Sequence, residues 1–232
     1  MGKIMKRILS FIYPKRCAFC GNVSKLHICD ECRENLPIIS KSICRRCGCE
    51  KELCSCGPVY NSYKECIAPF YYEGPAKKAV YCLKFKKVPE NAHILSSYMI
   101  SSIERYYHSK NFDCVTAVPA HIINKFKRGY NQAEILARYI SKAINLPYIK
   151  RGLIKTKITK HQKNITMLDR LSNINGAFRK GKFDFTGKRV LLVDDVKTTG
   201  ATLNECAKVL KNAGAREVYC ITFAITKKLK NI

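Results

Sequence analysis

The chain has 232 residues, with 43 lysines and arginines against 17 aspartates and glutamates, for a formal net charge of +26. Its 47% hydrophobic content suffices for one large domain, or an ordinary domain plus a small one, and excludes wholesale disorder despite the charge. No apolar run approaches the roughly 18 residues of a membrane span, and the short one in MGKIMKRILSFIY meets no small-residue cleavage site, so a cytoplasmic chain is expected.

Residues 1–66 hold 10 of the 14 cysteines, with 12 basic and 6 acidic residues. Residues 67–232 carry 31 basic and 11 acidic residues, so thiols and charge lie in different parts, and a boundary is expected at Cys66. The front end contains Cys17-Ala-Phe-Cys20-Gly, Cys29-Asp-Glu-Cys32, Cys44-Arg-Arg-Cys47-Gly and Cys54-Ser-Cys56-Gly. A C-x-x-C pair sets two thiolates on one side of a tight turn, and the following glycine permits the positive φ that closes it. Two such turns make a tetrahedral four-sulfur shell that suits zinc. The competing disulfide framework needs an oxidising compartment, to which nothing addresses this chain. The simplest sites are Cys17, Cys20, Cys29, Cys32 and Cys44, Cys47, Cys54, Cys56, one or two structural zinc ions in all, with Cys49 as a spare thiol that the second site could use. Cys66, Cys82, Cys114, Cys206 and Cys220 fall outside the pairs and read as inert buried thiols.

The body then alternates strands and helices. Cys66–Tyr72 is β-like. Pro75–Lys86 reads as a helix with Ala76, Ala79, Val80 and Leu83 on one face, and Ala92–Tyr107 as another. Cys114–Val118 is a buried strand, and Gln132–Ile144 an amphipathic helix with Ile135, Leu136, Tyr139 and Ile140 at helical spacing. Arg189–Val193 is a second buried strand, Thr202–Ala213 a helix closed by Gly214, and Glu217–Ala224 a third strand. That order implies an α/β fold with a parallel sheet, whose ligands bind past the carboxyl ends of the strands.

Three segments fall at such ends. In Val190-Leu-Leu-Val-Asp194-Asp195-Val-Lys197-Thr198-Thr199-Gly200-Ala201-Thr202, an apolar strand ends in two acids and a threonine-glycine loop enters a helix. Loop amides and helix N-terminus form an anion cradle. The acids just upstream suit ligand hydroxyls or a bound Mg2+, the layout of a ribose 5-phosphate. The second segment, Val118-Pro119-Ala120-His121 followed by Lys125, Lys127, Arg128, Gly129 and Asn131, offers a basic loop suited to a diphosphate, with Asn131 as N-cap of the next helix. The third, Thr159–Lys163 and then Asp169–Phe178, is polar and basic and looks like a mobile loop over a site.

The first segment resembles the phosphoribosyl pyrophosphate (PRPP) motif of type I phosphoribosyltransferases. RGYNQAEILA, the Thr159–Phe178 segment and the paired cysteine knuckles resemble, in order, the ComF family of competence-associated proteins. The resemblance implies a small zinc-ribbon-like domain over 1–66, a type I phosphoribosyltransferase fold over 67–232, and a link to natural transformation and DNA uptake. It implies that Asp194 and Asp195 hold the ribose hydroxyls while Lys197, Thr198, Thr199, Gly200, Ala201 and Thr202 hold the 5′-phosphate. It places Ala120 and His121 in a pyrophosphate loop, with Lys125 and Arg128 beside the diphosphate and Mg2+ accompanying PRPP.

Two functions follow as expectations. One is a phosphoribosyltransferase in which Asp194 and Asp195 stabilise developing charge on the ribose and Lys160 and Arg170 are loop-borne catalytic contacts. The other is a protein that uses the fold without transfer, binding single-stranded DNA through its charge or docking a DNA-translocating helicase through its zinc part.

Overall fold

The computed structural model describes residues 15–54, 56, 61–85, 91–121, 123, 129–157 and 174–227. Lys86, the expected last residue of the first long helix, and Lys125, Lys127, Arg128, Lys160 and Arg170 lie outside them.

A short helix α1 (Asp30–Glu34) sits in the cysteine-rich front end. Next come strands β1 (Glu65–Ile67) and β2 (Phe70–Tyr71) and helices α2 (Gly74–Phe85) and α3 (Ala92–Tyr107). Strand β3 (Cys114–Ala117) and helix α4 (Gln132–Ala143) follow. Strands β4 (Leu153–Lys155) and β5 (Phe178–Lys180) precede the long strand β6 (Arg189–Lys197), helix α5 (Ala201–Asn212) and strand β7 (Glu217–Ile225). The main sheet is parallel in the order β1-β7-β6-β3, with β2 on β7 beyond β1. The parallel α/β architecture expected from the alternation of elements is therefore present, and β1 carries Cys66 into its edge.

Strand β6 is apolar on both faces because both are covered. Leu191 and Val193 join Tyr219, Ile221 and Phe223 of β7 in a core shared with α3 and α4, while Val190 and Leu192 join Val218 and Cys220 in a second core against α5. The strand does not stop at Val193. It pairs on through the two acids, Asp194 with Thr222, Val196 with Ala224 and Lys197 with Ile225, because β7 outruns β3 and offers a partner past the acids. The third segment is flanked by strands: β4 and β5 pair antiparallel, Leu153 with Lys180 and Lys155 with Phe178, while residues 158–173 lie outside the described residues. Strands of three residues carry too little alternation to stand out in sequence.

The front end is pinned to this body. Phe19, between Cys17 and Cys20, is fully buried, and its ring stands edge-on to Phe70 at 5.8 Å and to Tyr98 at 5.9 Å, with Phe223 at 6.1 Å. Cys17, Ala18, Phe19, Cys32, Ile39 and Ile43 belong to the same buried cluster as the α3 face of the sheet. Among the described residues no helix is long and apolar enough to cross a membrane. Phe19→Ala empties the centre of this aromatic group and is expected to cost about 3–5 kcal/mol, read from the urea midpoint. A cost below about 1 kcal/mol would mean that the front end is not held by this ring.

Candidate functional site

The front-end thiols form two quartets, Cys17, Cys20, Cys29, Cys32 and Cys44, Cys47, Cys54, Cys56, the sulfurs of each lying within 4.8 Å of one another. Gly21 and Gly48, each after the second cysteine of a pair, have φ of 76° and 83°, the left-handed turn that the pattern predicts. The sulfurs of Cys20 and Cys29 are 3.8 Å apart and those of Cys47 and Cys54 3.7 Å. A tetrahedron with Zn–S bonds of about 2.3 Å has edges of about 3.8 Å, whereas a disulfide needs about 2.05 Å. None of the 14 cysteines is in a disulfide. The quartets therefore fit zinc, and the disulfide alternative fails.

Burial opposes ionisation of Cys17 and Cys44, yet amide hydrogens prevail: those of Cys20, Cys29 and Phe19 around one and of Cys47 and Arg46 around the other, with Cys54 assisting, bring each thiol down to about 7. Burial and the crowding of neighbouring thiols push Cys32 and Cys56 up. A cation at the centre of each quartet removes that conflict. Cys49 stays out of the second quartet and lies buried beside it. Of the thiols outside the pairs, Cys66 and Cys114 are buried and pushed up to about 11 mainly by desolvation, as inert core thiols are.

The second centre lies at the carboxyl ends of β3 and β6. Successive strand residues face opposite ways, so the two acids diverge. Asp195 turns to α2 and forms an ion pair with Lys84. Asp194 lies on the α5 side, buried, with one carboxylate oxygen accepting from the Asp195 amide at 2.8 Å. Burial, followed by the Asp195 charge, raises the Asp194 carboxyl well above the ordinary carboxylate value, while Lys84 pulls it back. Burial works against the Lys84 ammonium, but Asp195 and then Asp194 outweigh it and hold it above its ordinary value. On α2 nothing in the sequence pattern separates Lys84 from Lys77 or Lys78, and it escapes sequence analysis. So does Lys155 as a neighbour of Asp194: burial lowers its ammonium, with Cys206 and Asp194 offsetting part of that.

Beyond the acids the chain turns at Gly200, with φ of 85° at the N-cap position of α5, and no side chain caps the helix. Thr199 Oγ1 instead accepts from the Ala201 amide at 3.3 Å. Thr198, Thr199, Gly200, Ala201 and Thr202 thus stand together at a helix N-terminus, the setting in which unpaired amides favour an anion. Lys197 is buried, and its Nζ donates to the Cys47 carbonyl at 2.7 Å.

The second segment starts one step away. The Val118 amide donates to the Val193 carbonyl at 2.9 Å, which sets Pro119, Ala120 and His121 beside Asp194. His121 is buried, and its Nδ1 accepts from the Ile123 amide at 3.3 Å. Asn131 occupies the N-cap position of α4 without capping it: its Nδ2 donates to the Val118 carbonyl at 2.9 Å. The strand-end carbonyl, with no ladder partner past Ala117, takes the side chain that the helix was expected to use. A cleft of about 410 Å3 opens here, lined among others by Ala120, His121, Tyr148, Arg151, Lys155 and Arg179. Ala120 and His121 thus meet the cations of the β4–β5 hairpin across it. The third segment contacts the centre at its described end, where the Gly176 amide donates to Glu205 Oε1 on α5 at 2.8 Å.

Known proteins match the chain in two parts. Residues 102–230 match the family model of the phosphoribosyl transferase domain, and residues 8–66 that of the double zinc ribbon domain. Competence protein F of Haemophilus influenzae is 29% identical over 216 residues, covering 88% of this chain and 93% of that one. DNA utilization protein YhgH of Escherichia coli is 26% identical over 218 residues, covering 84% and 96%. Competence protein ComFC of Bacillus subtilis is 26% identical over 197 residues, covering 81% and 79%. The resemblance read from the motifs holds, and the front-end quartets form a double zinc ribbon.

Metal analysis of the full chain is expected to find two zinc ions per molecule; a protein containing none would contradict the sulfur geometry. The raised Asp194 carboxyl binds its proton to higher pH in the folded than in the unfolded chain. Its contribution to stability is full below the unfolded value of about 4 and is lost as pH rises through the folded value. Asp194→Asn removes that loss. Its stability relative to the parent protein should grow as pH rises above the unfolded value of about 4, read from thermal midpoints at each pH. A constant difference would show that the carboxyl titrates normally.

Proposed function

The chain belongs to the phosphoribosyl transferase domain family, and on that premise we propose that it is a competence-associated protein that binds PRPP with Mg2+ at the carboxyl ends of β3 and β6. Residues 67–232 supply that site and residues 1–66 the zinc ribbon. The observation that carries the reading is the run from the buried strand β6 through Asp194 and Asp195 to the Gly200 turn and the N-terminus of α5, with Pro119–His121 beside it.

The roles follow from charge and geometry. Amides and hydroxyls of Thr198–Thr202 hold the 5′-phosphate at the helix N-terminus, where its charge is favoured. Asp194 and Asp195 accept the ribose hydroxyls. Lys84 neutralises Asp195 until the ligand arrives, which keeps the half-buried Asp195 from repelling the buried Asp194. Ala120 and His121, with Lys125 and Arg128, face the diphosphate, and Lys155 adds a cation near Asp194. When bound, Mg2+ supplies hard-cation neutralisation of diphosphate oxygens, chemistry that suits these oxygen donors. Transfer would break the bond between the anomeric carbon and the diphosphate. Holding the phosphate remotely positions the anomeric carbon, the acids stabilise the positive charge that grows there, and Lys160 and Arg170 are assigned the neutralisation of the leaving diphosphate. Among the names of the relatives, competence protein F and DNA utilization protein supply the cellular setting of this reading.

Isothermal titration of the full chain with PRPP and Mg2+ tests it. Binding is expected, weakened roughly 100-fold in Asp194→Ala/Asp195→Ala, since two charged hydrogen-bonded contacts of about 1.5 kcal/mol each are lost. Absent binding, or binding unchanged by the double substitution, would refute the site.

A further inference from the structure

The turn after β6 rests on the second zinc knuckle. Lys197, the last residue of β6, is buried and donates to the carbonyl of Cys47 at 2.7 Å, while its own carbonyl accepts from the Thr226 amide at 2.9 Å. Next to Cys47, the knuckle's turn lies directly on the sheet: a Cβ on Gly48 would stand 3.0 Å from the Cys66 carbonyl oxygen and 3.5 Å from the Ile225 side chain. The Cys66 amide donates to the Arg45 carbonyl at 2.7 Å, which fixes the same knuckle to β1. Cys47, Cys49, Cys56, Lys197, Thr198 and Thr226 surround one small gap between the knuckle and the turn.

The other side of the turn is held as closely. A Cβ on Gly200 would meet Lys197 Cε at 3.0 Å and the Tyr63 hydroxyl at 3.5 Å. The Ser62 amide donates to Asn204 Oδ1 at 2.6 Å, so the stretch after the second knuckle is tied to the first turns of α5. The Lys197 stem is thus the floor under Gly200, and its ammonium is fastened to the backbone of a zinc ligand. The first quartet, by contrast, is anchored through Phe19 in the aromatic core.

We propose that zinc at Cys44, Cys47, Cys54 and Cys56 sets the shape of the phosphate-holding turn, with Lys197 as the positioning residue that couples the two sites. A closed zinc shell keeps the Cys47 carbonyl in place. Without it, the buried Lys197 ammonium loses its acceptor, a costly state for a charge. The stem then leaves its place under Gly200, and the amides of Thr198–Gly200 lose their common aim. Zinc and a sugar phosphate therefore favour each other's binding, by the reciprocity of linked equilibria. This rests on the phosphate role given to the turn above.

The test is equilibrium competition for zinc between the full-length, zinc-loaded protein and a chromogenic chelator, with ribose 5-phosphate as probe. One of the two zinc ions is expected to be held about tenfold more tightly when the probe is saturating. Lys197→Met should abolish that gain. Cys29→Ser, which disables the first quartet, should retain the protected ion. Equal zinc affinity with and without bound ribose 5-phosphate in the parent protein overturns the coupling, and needs no variant to fold. If calorimetry shows that ribose 5-phosphate does not bind the parent protein, the phosphate role of the turn falls, and the coupling falls with it.

Discussion

Two carboxylates at the buried end of a parallel strand are the constraint around which this molecule is arranged. Asp194 and Asp195 sit where neither water nor β3 accompanies them fully, and their repulsion is contained by a lysine from a separate helix. A strand end that served only the fold would finish in a turn residue. Here β7 is long enough to keep β6 straight through the acids, which fixes the carboxylates on opposite faces instead of leaving them on a loop. The glycine turn and the start of α5 then fall at a defined distance beyond them. A buried carboxyl with a second carboxylate beside it opposes stability, which the Lys84 ammonium offsets.

The cysteine-rich part solves a different problem. Its described residues form a five-residue α-helix and a 3-10 turn at Lys51–Leu53, too little to enclose a core, and metal shells replace apolar burial as the source of order. Yet the two quartets are not equivalent in what they touch. The first presents Phe19 to the interior, and the second presents backbone carbonyls to the sheet ends and to Lys197. Both pack into the same core, Ile43, Cys47 and Cys49 included, but the second adds polar contacts to β1 and to the end of β6.

Much of this was legible in the sequence. The four cysteine pairs, the VLLV run before the acids and the amphipathic pattern of α4 each announce their element, because each is a local periodicity or spacing. Helix α3 occupies the expected Ala92–Tyr107. What escaped depends on tertiary placement. Lys84 is an ordinary helical lysine until Asp195 is beside it. Asn131 has the composition of a cap, but the strand-end carbonyl of Val118 claims its amide. Lys197 reads as a loop cation facing phosphate, while the fold places a carbonyl from residue 47 within its reach. The length of β6 could not be seen because it is set by β7 and not by its own residues.

The ring of Phe19 bears on how the chain is made. Its partner Phe223 belongs to β7, some two hundred residues later, so part of the pocket that receives this early residue is synthesised long after it. While the ribosome works through the intervening sequence, the ring has Phe70 and Tyr98 to meet but not the sheet that closes over it. Contacts between such distant parts of a chain form late and slowly. A zinc shell at the first quartet is closed by residues 17–32 alone, so the knuckle that carries the ring can take its shape from local sequence while the sheet that receives it cannot.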